Sequence, residues 1–310
     1  MINTSSQLNR PVKLYPCLKD YIWGGRRLID EFAKAGEYDV VAESWECSTN
    51  DNGLSRICGG KLDGTNLKEC IGDFSLIIKL IDADKNLSIQ VHPSGELGKT
   101  EMWYILDANE DAYIYYGLKK DMDADAVRMA CEKGNITRYL NKVKVKKNEV
   151  YFIPAGLIHA IGKGVCVAEI QQNSDVTYRL FDYDRIDYHT GRKRPLHIDK
   201  ALECAKLVKE LPPIQPMRVL QYAPGLAREF LIRCRYFYVE RLLLNTGDTM
   251  RVHISNDASK ANCMLCIQGS ASLICDSEAI DVKKGDCIYI PQHCDNCYMS
   301  GSAVLLLIHN

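Results

Sequence analysis

Val145-Lys146-Lys147-Asn148-Glu149-Val150-Tyr151-Phe152-Ile153-Pro154 and Val282-Lys283-Lys284-Gly285-Asp286-Cys287-Ile288-Tyr289-Ile290-Pro291 are two copies of one pattern. In each copy a strand leads into a tight turn, a second strand follows, and a proline stops it. Such a repeat marks two similar units in tandem. Outward from the first copy, strand-sized runs lie at 76–81, 87–91, 102–106, 112–116, 150–153 and 165–170. Around the second copy they lie at 236–244, 250–254, 263–268, 272–275, 287–290 and 304–309. Many short strands separated by Gly, Asn, Asp and Pro turns predict a mainly β sandwich or barrel.

Two stretches read as helices. The first, 124–140, follows the N-cap candidates Asp121 and Asp123 and carries Ala126, Val127, Ala130 and Cys131 at helical spacing. Gly134 and Asn135 divide it, giving a small helical insert near 121–141. The second is 198–208. It precedes Leu211-Pro212-Pro213-Ile214-Gln215-Pro216, the clearest boundary in the chain. The expected organisation is therefore an N-terminal unit 1–210, a linker 211–216 and a C-terminal unit 217–310.

The composition is 46% hydrophobic and 25% charged, within the range of globular proteins, and 310 residues can bury a sizeable core without staples. A net charge of −1 argues against global recruitment of nucleic acid or an acidic membrane, so an anionic ligand needs a local basic cluster. No apolar run approaches the roughly 20 residues needed to span a bilayer, and the polar N-terminus has no secretory h-region. The cytoplasm is the expected compartment, and the 14 cysteines are expected to be reduced there. The pairs Cys263/Cys266 and Cys294/Cys297 invite a zinc-ribbon reading, but Cys263 and Cys266 are i and i+3 on a strand and point to opposite faces.

The repeated turn-strand-proline pattern resembles that of cupins, where it leads into a metal-binding turn. That resemblance implies two tandem cupin-type jelly-roll barrels. The first copy runs on to His159. The second runs on through Gln292-His293-Cys294-Asp295-Asn296 with no histidine at the matching place, so only the first unit is expected to hold metal. Gln90 and His92, at i and i+2 of one strand, share a face; Glu101 opens the next strand, and His159 follows the Pro154-Ala155-Gly156 turn. Two imidazoles, a carboxylate and an amide suit one Zn2+, with Mn2+ and Fe2+ left open. Standing alone, each histidine would more often be a packed or surface residue.

From about Tyr21 to the C-terminus the chain resembles type I mannose-6-phosphate isomerases of the shorter bacterial form. The resemblance is carried by Trp23-Gly24-Gly25, Ala42-Glu43-Ser44-Trp45-Glu46, Phe74-Ser75-Leu76-Ile77-Ile78-Lys79 and the run from Leu87 to Pro93. It continues through Gly98-Lys99-Thr100-Glu101-Met102-Trp103, the run from Ile153 to Gly164, and the run from Glu169 to Arg179. It implies zinc ligation by Gln90, His92, Glu101 and His159. Lys79, Lys99 and Arg179 match basic residues of the active site, and Glu169 and Asp175 match acidic ones near it. The implied reaction interconverts mannose 6-phosphate and fructose 6-phosphate, with a sugar phosphate as the partner and a monomer or homodimer as the assembly. One local departure is the short connection of eight residues, 93–100, between His92 and Glu101.

Aldose–ketose isomerisation moves a proton between C1 and C2 through an enediolate, so it needs a base and a cation at the developing oxyanion. Arg179 is the expected oxyanion partner, Glu169 the expected proton carrier, and Lys79 and Lys99 are expected at substrate oxygens or the phosphate. Each residue has a plainer reading. Glu169 or Asp175 would merely neutralise Arg179, Lys99 would be a solvated loop residue, Trp23 and Trp45 would be packing residues, and Arg192-Lys193-Arg194 would be a solvated run. Two other function classes compete: a non-catalytic sugar-binding protein on the same scaffold, and a different cupin enzyme. Fold alone does not separate them.

Overall fold

The computed structural model describes residues 8–212, 219–247, 250–254, 260–275, 278–292, 294 and 296–310. Most of the proline-rich linker, and His293 and Asp295 after the second repeat, lie outside the described residues.

The chain is mainly β. One antiparallel sheet has six strands in the order Val150–Ile153, Glu101–Ala108, Val165–Gln172, Leu76–Ala83, Glu43–Cys47 and Cys17–Lys19. A second has five, in the order Tyr178–Phe181, Ile89–Val91, His159–Ile161, Tyr113–Leu118 and Leu140–Lys144. A third, ten-stranded sheet holds the C-terminal strands, among them the long Asn262–Cys275 and Cys297–His309. The N-terminal strand Val12–Tyr15 joins this third sheet, pairing Val12 with Tyr289 and Lys13 with Ile288.

Alternation along the six-stranded sheet sorts its side chains. Ile78, Leu80, Met102, Tyr104, Ala168 and Ile170 belong to a core shared with Leu231, Val239, Leu265, Leu306 and Ile308 of the C-terminal sheet. Ile81, Trp103, Ile105, Val165 and Val167 belong to the core enclosed with Ile114, Tyr116 and Ile161 of the five-stranded sheet. Burial on both faces explains why the strand Leu76–Ala83 reads as a near-continuous apolar run. Lys79 interrupts that run, on the enclosed face.

The two repeats fold alike at their turns. Asn148 (φ 71°) and Gly285 (φ 94°) both take the left-handed conformation, which asparagine and glycine tolerate. The Glu149 carboxylate accepts from the Lys146 N–H at 2.8 Å, and the Asp286 carboxylate accepts from the Lys283 N–H at 2.9 Å. The shared motif thus encodes one turn twice.

The expected long helix is Ala124–Glu132, followed by a 3-10 turn Ile136–Tyr139, and Asp123 caps it by accepting from the Ala126 N–H at 2.7 Å. The second helix, Ile198–Cys204, is shorter than the sequence pattern. The separate runs 263–268 and 272–275 form one strand with a bulge between Cys266 and Gln268. Cys263 and Cys266 do face different cores. The expectation that the cysteines are reduced does not hold throughout: Cys275 and Cys297, directly opposite each other on paired strands with Cα atoms 4.5 Å apart, form a disulfide. Among the described residues no helix is long and apolar enough to cross a membrane.

Candidate metal centre and active-site cavity

Two cross-strand rows face each other across the enclosed space. In the six-stranded sheet, register sets Trp45, Lys79, Glu169 and Trp103 side by side, with Glu101 beside Gln171 one step along. In the five-stranded sheet, register sets Arg179, Gln90 and His159 side by side. These rows line or adjoin a cavity of about 490 Å³.

His92, Glu101 and His159 are brought together with their ligand atoms within 4.8 Å of one another, all three buried. Glu101 lies 3.6 Å from His92 Nε2 and 3.5 Å from His159 Nε2. Each imidazole is oriented from behind. Nδ1 of His92 bonds to the Val176 carbonyl at 2.8 Å, and Nδ1 of His159 to the Leu157 carbonyl at 2.8 Å. With Nδ1–H donating in both, both Nε2 lone pairs point at Glu101, the arrangement that fixes metal-ligating histidines. The turn leading to His159 depends on Gly156 (φ 87°), whose N–H donates to the His92 carbonyl at 2.9 Å and ties the two histidine segments together. Gln90 lies beside the group, its amide nitrogen 3.4 Å from His159 Nε2 while its amide oxygen accepts from Ser88 Oγ at 3.2 Å.

Neither Glu101 oxygen accepts a well-directed hydrogen bond among the described residues, although Lys99 Nζ lies 3.0 Å away. An orphaned, fully buried carboxylate is costly unless something cationic completes it. Lys79 sits 3.4 Å from Glu43 and 3.6 Å from Glu169, over the Trp45 ring at 4.3 Å. Lys99 also lies 3.9 Å from Glu169. Three carboxyl groups therefore share two ammonium groups, so ionising all three would leave one negative charge in excess. Burial, with Glu169 adding repulsion, pushes Glu101 up to about 8 despite Lys99. Burial also opposes charge on Glu169, but Lys99 and Lys79 more than offset it and hold that carboxyl below its usual range. Lys99 stays protonated, since Glu101 and Glu169 outweigh its burial. Burial pushes both histidines down, His159 to about 4, so both are neutral near pH 7. A buried carboxyl group without a well-directed hydrogen bond, beside two neutral imidazoles whose Nε2 atoms meet only long contacts, 3.4 Å to Lys99 Nζ and 3.4 Å to the Gln90 amide nitrogen, fits a divalent cation.

The other expected residues fall as follows. Trp103 donates its indole N–H to Glu169 at 2.8 Å. Arg179 is half-buried, lines the cavity and makes no side-chain hydrogen bond or ion pair among the described residues; burial, then Arg194, lowers its pKa. Neither Glu169 nor Asp175 neutralises it. Asp175 is exposed at the cavity rim, where it accepts from Asn52. Lys99 is 5% exposed, which removes the solvated-loop reading.

Four cavity residues were not singled out as functional from the sequence. Glu43 and Trp45 share a face at i and i+2, and the Trp45 indole donates to Glu43 at 2.8 Å, a signal legible in the alternation of their motif. Tyr21 lines the cavity with no local signature. Arg194 corrects the solvated-run reading. Arg192 and Lys193 are exposed, but Arg194 folds inward over the Trp23 ring at 4.9 Å.

With this site in view, the comparisons with known proteins are decisive. The catalytic-domain model of type I phosphomannose isomerase matches residues 12–124, and the mannose-6-phosphate isomerase cupin-domain model matches residues 227–310. The chain is 34% identical to mannose-6-phosphate isomerase ManA of Bacillus subtilis, over 96% of this chain and 98% of that one. The chain belongs to the type I mannose-6-phosphate isomerase family. The mannose-6-phosphate isomerase of Streptococcus mutans is 30% identical over 97% of this chain and 98% of that one. The crystal structure of mannose 6-phosphate isomerase from Bacillus subtilis superposes with a TM-score of 0.89 at 30% identity, covering 97% of this chain and 100% of that one. As a mannose-6-phosphate isomerase of cupin-type fold, the chain is an enzyme acting on a sugar phosphate.

Proposed function

We propose that this isomerase is metal-dependent and interconverts mannose 6-phosphate and fructose 6-phosphate through an enediolate. The carrying observation is the orphaned Glu101 carboxylate held between two preoriented imidazole lone pairs at the wall of a cavity lined by Lys79, Lys99 and Glu169. Gln90, His92, Glu101 and His159 would hold one divalent ion, Zn2+ first and Mn2+ or Fe2+ as alternatives. When bound, such an ion supplies Lewis acidity toward substrate oxygens. The unit 1–210 carries this site, and the unit 217–310 serves as its structural partner.

The chain's own groups supply the proton chemistry. Glu169 is the proton carrier. It is ionised at neutral pH because Lys99 and Lys79 stabilise its charge, and the Trp103 N–H fixes one of its oxygens while the other faces the lysines. Lys79 and Lys99 donate toward the oxygens on C1 and C2 as negative charge grows there. Arg179 adds a permanent, unneutralised cation to the same space. Asp175, at the rim, orders the entrance through Asn52.

The test is turnover of mannose 6-phosphate to fructose 6-phosphate before chelation, after it, and after Zn2+ is restored. Loss and recovery support the proposal. Undiminished turnover by protein shown to be metal-free would refute the metal dependence, and no turnover by folded, metal-loaded protein would refute the substrate.

A further inference from the structure

We infer that Arg194, aimed by Asp182, is the residue that grips the phosphate of the substrate and sets the preference for a phosphorylated sugar; this rests on the sugar-phosphate reading above. The charges in the cavity divide into two groups. Lys79 and Lys99 are committed to Glu43, Glu101 and Glu169 and leave no positive surplus for a dianion. Around Asp182 the balance reverses. Arg194 reaches both of its carboxylate oxygens, Arg185 shares one of them, and Arg179, which has no ion pair among the described residues, lies close enough to Arg194 to feel its charge. Three guanidinium groups face one carboxylate.

The geometry selects Arg194 within this group. Arg185 is turned away, held by the Asn86 carbonyl and the Asp182 carbonyl. Arg194 lines the cavity, its side chain is 11% exposed, and it lies over the face of Trp23. Asp182 takes Nε and one terminal nitrogen, leaving the other terminal nitrogen, Nη1, free of any hydrogen bond among the described residues. A guanidinium braced on one edge and stacked on a ring presents its remaining N–H groups in a fixed direction, which suits a phosphate oxygen. Asp182 is 4% exposed, and Arg194 and Arg185 hold it below the usual carboxylate range against its burial, so it stays charged as the brace. Asp182 is thus a positioning residue and Arg194 a binding one.

The experiment compares kcat/KM for mannose 6-phosphate with that for unphosphorylated mannose. Arg194→Ala should lower the ratio of the two roughly 10- to 100-fold, the size of one lost charge-assisted hydrogen bond to an anion, chiefly through KM. Arg194→Lys should recover part of the loss, and Asp182→Asn should raise KM in the same direction. Exposed Lys193→Ala, paired only with Asp184 among the described residues, should do neither. A fall in kcat with an unchanged ratio would overturn the inference, as would an unchanged KM. Binding of inorganic phosphate to the wild type and to Arg194→Ala, measured by calorimetry on protein of matched thermal stability, reads the same contact without turnover. Weaker binding in the variant supports the assignment and equal binding overturns it, even if the wild type does not isomerise mannose 6-phosphate.

Discussion

Adding Zn2+ to the chelated protein is expected to expel close to one proton at pH 7. The proton comes from Glu101. In the metal-free cluster its carboxyl is pushed up to about 8 by burial and by Glu169. One pH unit below that value about nine-tenths of it is protonated, and a ligand carboxylate must be ionised. The histidines add nothing, because burial keeps both neutral, His159 down to about 4. Release should fall to about half a proton at pH 8 and about a tenth at pH 9. The sign follows directly: protons compete with the metal below pH 8, so apparent affinity rises roughly tenfold per pH unit toward 8 and then levels. Titration calorimetry in buffers of different ionisation enthalpy counts the protons from the slope of the observed enthalpy. A slope near zero at pH 7 would refute the charge balance of the cavity, and a slope near two would show that a histidine enters protonated. Glu101→Gln should remove the proton release and weaken binding together.

Three further outcomes are expected. His159→Ala should lower metal content and activity together, read by elemental analysis beside turnover, whereas Arg179→Ala should lower activity with metal retained; loss of metal or fold in the Arg179 variant would remove its catalytic role. Glu169→Gln should cut kcat by about 10²- to 10⁴-fold, the usual worth of a positioned acid–base group, without releasing metal; a nearly unchanged kcat would assign the proton to another group. Lys34→Ala should destabilise the protein by about 3–5 kcal/mol in denaturant unfolding, because it strands the buried Glu46 carboxylate that Lys34 meets at 2.7 Å; a shift below about 1 kcal/mol would show that Glu46 simply takes up a proton.

Several features were legible because they are local. Strand alternation put Gln90 with His92 on one face and Leu87, Ile89 and Val91 on the other; Ile89 and Val91 do pack with Leu118 and Val127, but Leu87, which precedes the strand, joins the core around Trp103 and lines the cavity. The residue types of the repeat foretold its turns, since Asn148 and Gly285 occupy the left-handed position in each. The Asp123 cap and the break at Gly134 bound the insert as expected. The family motifs implied that His92, Glu101 and His159 converge, but not that Lys79 and Lys99 would be held by Glu43, Glu101 and Glu169.

What the sequence by itself determined, then, is a set of two-residue periods, turns and caps, each fixed by the conformational preferences of a few adjacent residues. Only the tertiary structure decided the partners. Register set Glu169 opposite Lys79 and Arg179 opposite Gln90, and it sent Val12–Tyr15 across to Cys287–Ile290. Folding of the segment after Asp187 brought Arg194 to Asp182 and Trp23, inside a run that looks solvated from its sequence. The reason is physical: a period of two says which face a side chain takes, but a shift of register leaves that local pattern unchanged and replaces every neighbour across the sheet.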